Sequence, residues 1–232
     1  MDQLLVALDV DNAVHAMELA VRLQGRVGGI KIGSTLFTAE GPALVRRLVQ
    51  QGHRVFLDLK FHDIPHQVAG AVTAATKLGV WMMTIHASGG SEMLKAARRA
   101  AADTAAARNI QQPLIVAVTA LTSLSDQGLL ESGVTRSMER HVEELAALAE
   151  RAGLDGVVAS PQELKVLRQR FPSLTIVTPG IRAVSSAADD QSRTLSAREA
   201  LAAGADYVVV GRPIVAAADP RNAAEEIARS CA

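Results

Sequence analysis

Short apolar runs rich in β-branched residues alternate along this chain with longer stretches in which apolar positions recur every three or four residues. The runs are "LLVALDV" (4–10), "GGIKIG" (28–33), "RVFLDLK" (54–60), "WMMTIHA" (81–87), "LIVAVTA" (114–120), "DGVVAS" (155–160), "LTIVTPG" (174–180) and "DYVVVGR" (206–212). Between them lie "AVHAMELAVRLQ", "GPALVRRLVQQG", "QVAGAVTAATKLG" and "ERHVEELAALAERAG", whose Ala, Leu, Glu and Arg content and closing glycines predict helices. "SPQEL" predicts a helix start, with Ser160 as N-cap, Pro161 at the first helical position and Glu163 completing a capping box. The Ala-rich tract 95–109 reads as a surface helix. Nearly continuous apolar strands separated by helices imply a parallel sheet covered on its faces. Eight such units in 232 residues favour closure into a (β/α)8 TIM barrel over an open doubly wound sheet. No Pro- or Ser-rich linker interrupts the series, so one barrel domain spanning 1–232 is expected.

The polar positions are not spread evenly over these strands. Asp9, Lys31, Asp58, Lys60, His86, Thr119, Gly180, Gly211 and Arg212 all fall at or near C-terminal strand ends, where the βα loops of such a barrel build its active site. Strand alternation puts Asp58 and Lys60 on one face with Leu59 opposite. Asp9 and Lys31 from the two preceding strands extend them into an acid–base array, with Asp63 on the following loop. Desolvating so many charges costs several kcal/mol per ion, so a functional array explains them better than a salt-bridge lattice kept for stability. In "VVVGRPI", Gly211 allows close approach of a ligand and Arg212 can fork onto phosphate oxygens. The small, polar segment 179–193 is long enough for a lid and offers Arg182 and Gln191 as further phosphate or base contacts.

Composition narrows the partners. With 24 basic and 24 acidic residues the formal charge is +0, which disfavours nucleic acid and anionic membranes and leaves a small ligand as the expected partner. Aromatics are only 3% of a chain that is 49% hydrophobic, so the core must be Ala, Val, Leu and Ile. The lone Cys231 forms neither an intramolecular disulfide nor, by itself, a thiolate metal site. The N-terminus lacks the features of a signal peptide, and no apolar run reaches the ~20 residues of a membrane span. A soluble, cytoplasmic protein is expected.

"LDVDN", the Lys of "IKIG", "DLKFHDIP", "TPGIR" and "VVVGRPI", in this order across the chain, closely resemble the orotidine 5'-phosphate decarboxylase family, with "DLKFHDIP" the most specific of them. The resemblance implies a barrel of the ribulose-phosphate-binding type and cofactor-free, metal-free loss of CO2 from orotidine 5'-monophosphate to give UMP. It also implies a homodimer whose sites lie at the subunit interface. Carried over, Lys60 resembles the proton donor to C6 and Asp58 the carboxylate set against the departing one. Asp63 resembles the group that enters the partner's site. Asp9 and Lys31 resemble the groups that hold the ribose hydroxyls and order the charges, and Thr122 the pyrimidine contact. Arg182 and Gln191 match the lid, and Gly211 and Arg212 the phosphate site. The chain departs from the family after "DIP", where His66 and Gln67 replace the usual Asn-Thr; Gln67 stands at the position that the resemblance assigns to a ribose contact and can still donate and accept hydrogen bonds there.

Two other functions compete with this one. Magnesium-dependent sugar-phosphate decarboxylases and synthases of similar fold share the Asp-x-Lys strand but carry an acidic metal ligand where this chain has Lys31. A non-catalytic phosphate-ligand binder is the other alternative, though it needs no proton donor such as Lys60. His62 and His66 form no convincing metal set, and His86 reads as a hydrogen-bonded structural histidine.

Overall fold

The computed structural model describes residues 2–182 and 195–231. Eight of its strands are β1 (Leu4–Ala7), β2 (Gly29–Gly33), β3 (Val55–Phe61), β4 (Met82–His86), β5 (Leu114–Val118), β6 (Gly156–Val158), β7 (Thr175–Thr178) and β10 (Tyr207–Val210). They close in the order β1-β10-β7-β6-β5-β4-β3-β2, all pairs parallel, so the architecture is the (β/α)8 barrel that the pattern predicts. A two-stranded pair, β8 (Ile181–Arg182) with β9 (Leu195–Ser196), lies outside the ring.

The strands bury both faces, as parallel strands between a filled interior and a helical layer must. Leu5, Ala7, Phe56, Met82, Val116, Val177 and Val209 meet inside the barrel, while Val6, Ile30, Leu57, Met83 and Val210 pack outward under the helices. At the N-terminal face Trp81 meets Tyr207 edge-on at 5.2 Å, and the Arg54 guanidinium sits 3.8 Å from the Trp81 ring centroid. Two aspartates strengthen the same face by accepting the N–H group of the preceding strand: Asp155 from Ile115 (2.8 Å) and Asp206 from Ile176 (2.7 Å). Each is held in turn by an arginine, Arg98 and Arg168 respectively. The N-terminal face thus carries stabilising contacts, and the C-terminal mouth is left for chemistry.

The helices agree with the pattern in kind more than in extent. The first two are α1 (Ala13–Leu23), capped by the Asn12 side chain, and α2 (Ser34–Gln50). α2 begins seven residues before the predicted "GPALVRRLVQQG" and bends at Gly41, which has φ 65 and is followed by Pro42. α3 (Pro65–Lys77) starts directly after the "DLKFHDI" stretch, with Pro65 in its first turn. α4 (Gly90–Arg108) contains the Ala-rich tract and is not a bare surface helix: Ala97, Ala101, Thr104 and Ala105 are buried, and small residues let it pack closely on α3. Next come α5 (Asp126–Glu131), α6 (Met138–Arg151) and α7 (Leu164–Arg170). The predicted "SPQEL" start is half realised: Glu163 accepts the Ser160 N–H, yet among the described residues Ser160 Oγ has no hydrogen-bond partner, and regular helix begins at Leu164. A complete capping box stands instead at Ser196 and Glu199, ahead of α8 (Ala197–Ala202). The remaining helices are α9 (Arg212–Val215) and α10 (Pro220–Ser230). Among the described residues, no helix is long and apolar enough to cross a membrane.

Candidate active site

The interior of the barrel changes character two residues beyond its apolar column. Ala7 is followed on the same face by Asp9, Gly29 by Lys31, Phe56 by Asp58, and Met82 by Thr84 and then His86. The charges form one chain of alternating sign. Lys31 Nζ lies 3.4 Å from Asp9 Oδ1 and 3.6 Å from Asp58 Oδ2, and Lys60 Nζ lies 2.9 Å from Asp58 Oδ1. Exposure grades along it: the side chains of Lys31 and Asp58 are 12% and 14% exposed, Lys60 34% and Asp9 59%. The centre of the array is therefore desolvated, where each charge depends on its neighbours, and the two ends open toward the mouth.

The meeting of Asp58 and Lys60 does not come from a regular pleat. Leu57 pairs with Met83 and Phe61 with Ile85, so β3 spends four residues where β4 spends two. Within that bulge Lys60 has φ 52, a left-handed conformation costing a non-glycine residue on the order of 1–2 kcal/mol. Thr84, fully buried opposite the bulge, accepts the Lys60 N–H at 2.8 Å and donates to Asp58 Oδ1 at 3.0 Å. Thr84 is missing from the residues singled out in the sequence. Its shared face with His86 is the signal that could have found it.

Two glycines, Gly33 and Gly211, line the array. A Cβ at Gly33 would lie 3.2 Å from Lys31 Nζ and 3.5 Å from Asp9 Oδ1, and one at Gly211 would lie 3.4 Å from Asp9 Oδ2. Gly211, just after β10, thus flanks the Asp9 side of the site, and the exposed Arg212 follows it at the start of α9. Thr122 sits half-buried in the loop after β5.

Residues 62–67 are all exposed. Asp63 does not join the array: its Oδ1 accepts the N–H of its neighbour Ile64, and among the described residues it makes no ion pair. Ile64 is 63% exposed, and Gln67 occupies the first turn of α3. Of the segment 179–193, residues 179–182 are described, with Gly180 at φ 78 and Arg182 in β8; Gln191 lies outside the described residues. His86, expected to be hydrogen-bonded, makes no hydrogen bond among the described residues and stands with its ring 5.3 Å from that of His62. Burial, with His62 and Lys60 nearby, lowers its pKa against the opposing pull of Asp58. Among the described residues, no three His, Cys, Asp or Glu side chains gather as a metal-binding group.

Chemically, an ammonium fixed beside a largely buried carboxylate at the mouth of a barrel can stabilise negative charge appearing on a bound molecule and deliver a proton to it. The family model described as "Orotidine 5'-phosphate decarboxylase / HUMPS family" matches residues 2–227. An orotidine 5'-phosphate decarboxylase from Moorella thermoacetica is 50% identical over 229 residues, covering 98% of this chain and 91% of that protein. One from Dichelobacter nodosus is 50% identical over 225 residues, covering 97% and 96%. The crystal structure of orotidine 5'-phosphate decarboxylase from Lactobacillus acidophilus superposes with a TM-score of 0.87 at 37% identity, covering 98% of each chain.

Proposed function

The chain belongs to the orotidine 5'-phosphate decarboxylase / HUMPS family, and from that premise we propose that it converts orotidine 5'-monophosphate to UMP and CO2, the final step of pyrimidine nucleotide synthesis. The observation that carries this reading is the Asp9–Lys31–Asp58–Lys60 chain of alternating charge at the C-terminal mouth.

The reaction breaks the C6–carboxylate bond and leaves its electron pair on C6, in the ring plane, where no carbonyl delocalises it. The barrier reduction required lies near the top of the ~8–23 kcal/mol that enzymes supply, more than positioning alone provides. Lys60 faces C6, stabilises the developing carbanion and then transfers a proton to it, so one solvent proton is consumed per CO2 released when Lys60 is recharged. Asp58 pairs with Lys60 and Lys31 and lies against the departing carboxylate. Asp9 and Lys31 hold the ribose hydroxyls, and Thr122 contacts the pyrimidine. Gly211 and Arg212 take the phosphate, with Arg182 and Gln191 on the segment that closes over it. Phosphate binding far from C6 drives that closure and converts binding energy into rate. None of these steps requires a cofactor.

Two copies of the chain pair in the cytoplasm through the exposed 62–67 stretch, so that Asp63 and Gln67 enter the partner's site. Exposure of Ile64 and the absence of Asp63 from its own chain's array support this arrangement.

The magnesium-dependent alternative fits less well, because the Lys31 ammonium already stands between the Asp9 and Asp58 carboxylates and would repel a divalent cation. Ultraviolet absorbance of orotidine 5'-monophosphate mixed with chelator-treated protein tests the proposal. We expect full turnover without added metal and a fall of about 100-fold or more in kcat/KM when the phosphate is removed from the substrate. Strict dependence on magnesium would support the sugar-phosphate alternative, and binding without turnover a non-catalytic binder.

A further inference from the structure

We infer that Thr84 is a positioning residue of the decarboxylation, acting through Asp58 and Lys60 without touching substrate; this inference rests on the roles proposed for that pair. A hydroxyl carries one proton and two lone pairs, and Thr84 commits them to both halves of the pair at once. Its proton goes to Asp58 Oδ1 at 3.0 Å, and its oxygen receives the Lys60 N–H at 2.8 Å. The same Oδ1 accepts from Lys60 Nζ at 2.9 Å. A closed circuit results, from the Lys60 backbone through Thr84 and Asp58 back to the Lys60 amine.

Each bond does something the bulge would otherwise leave undone. The N–H bond anchors Lys60 at φ 52, the conformation that sets where its side chain leaves the backbone. The O–H bond fixes the carboxylate oxygen at which the ammonium is aimed. Because Thr84 is fully buried, water cannot replace either bond. Polarisation around the circuit further strengthens the bond to a charged acceptor.

The test compares Thr84→Val, nearly isosteric and without the hydroxyl, with Thr84→Ser, which keeps it. For T84V we expect kcat to fall about 10- to 100-fold, the scale of losing a hydrogen bond to a buried charge. KM for orotidine 5'-monophosphate and affinity for UMP should stay within about 3-fold, and T84S should remain within about 3-fold of wild type in kcat. A purely structural role would lower thermal stability and leave kcat per folded active site unchanged. Should T84V not fold, Thr84→Ala replaces it in the same comparison. A double-mutant cycle with Asp58→Asn adds a second readout: T84V should cost less in that background than in the wild type, because the charged acceptor of its O–H is already gone. Wild-type kcat per site in T84V and T84A, an equal loss in T84S, or full additivity with D58N would overturn the inference while leaving the decarboxylase reading intact. Absence of turnover in the wild-type protein would overturn both.

Discussion

Lys60→Ala is expected to lower kcat for orotidine 5'-monophosphate by about 10⁴-fold or more while the barrel still folds and still binds UMP. The size follows from removing two effects at once: proton delivery contributes ~10²–10⁴-fold and a preorganised charge ~10²–10³-fold. The fold survives for specific reasons. Asp58 keeps Lys31 at 3.6 Å and the Thr84 hydroxyl at 3.0 Å, so its carboxylate is not left alone. Alanine at φ 52 bears no more backbone strain than lysine does there, and the Lys60 N–H bond to Thr84 involves only the main chain. Circular dichroism and UMP titration check the fold and the binding, and single-turnover kinetics check the chemistry. A variant with kcat near wild type would remove Lys60 from the mechanism.

Asp58→Asn is the second large effect, and its signature differs. The substitution keeps shape and removes charge, leaving Lys31 with Asp9 alone at 3.4 Å and bringing two ammoniums together without the anion between them. Removing one preorganised group from a site costs ~10²–10³-fold, so a loss of about 10²–10³-fold in kcat/KM is expected. The division between kcat and KM is the informative part. If Asp58 opposes the substrate carboxylate in the ground state, D58N lowers KM together with kcat. If it acts only by holding Lys60, kcat falls and KM does not. Wild-type values of both kcat and KM in D58N would contradict both roles.

The sequence carried the architecture and most of the candidate site in readable form, because the signals involved are local. Each barrel strand falls on one of the eight apolar runs, with β3 reaching one residue past its run to Phe61, since a strand buried on both faces has to be largely apolar. Asp9, Lys31, Asp58 and Lys60 could be gathered at one mouth by noting which end of each run turned polar, and the structure brings these four together. The bulge could not be read. An insertion of two residues in β3 relative to β4 leaves the apolar pattern of both runs unchanged, and alternation gave the right neighbours for Asp58 by the wrong local geometry. Thr84 was hidden for the same reason: its importance arises from what faces it across the register shift, not from its own run. The first part of α2 was missed because "STLFTAE" is too short and mixed to show a helical period, and the helix continues through Gly41 only with a bend. Asp63 illustrates the opposite limit. Proximity in "DLKFHD" suggested one array, yet the chain leaves the strand at His62 and carries Asp63 to the exposed rim.

The central claim is that the Lys60 ammonium meets negative charge at C6 of a pyrimidine nucleotide. A crystal structure with a UMP analogue bearing an anionic substituent at C6 tests it most directly. The account predicts Lys60 Nζ within about 2.7–3.2 Å of that substituent, with Asp58 beside it and Arg212 on the phosphate. A ring bound with C6 turned away from β3, or a Lys60 amine directed into the helical layer, would contradict it.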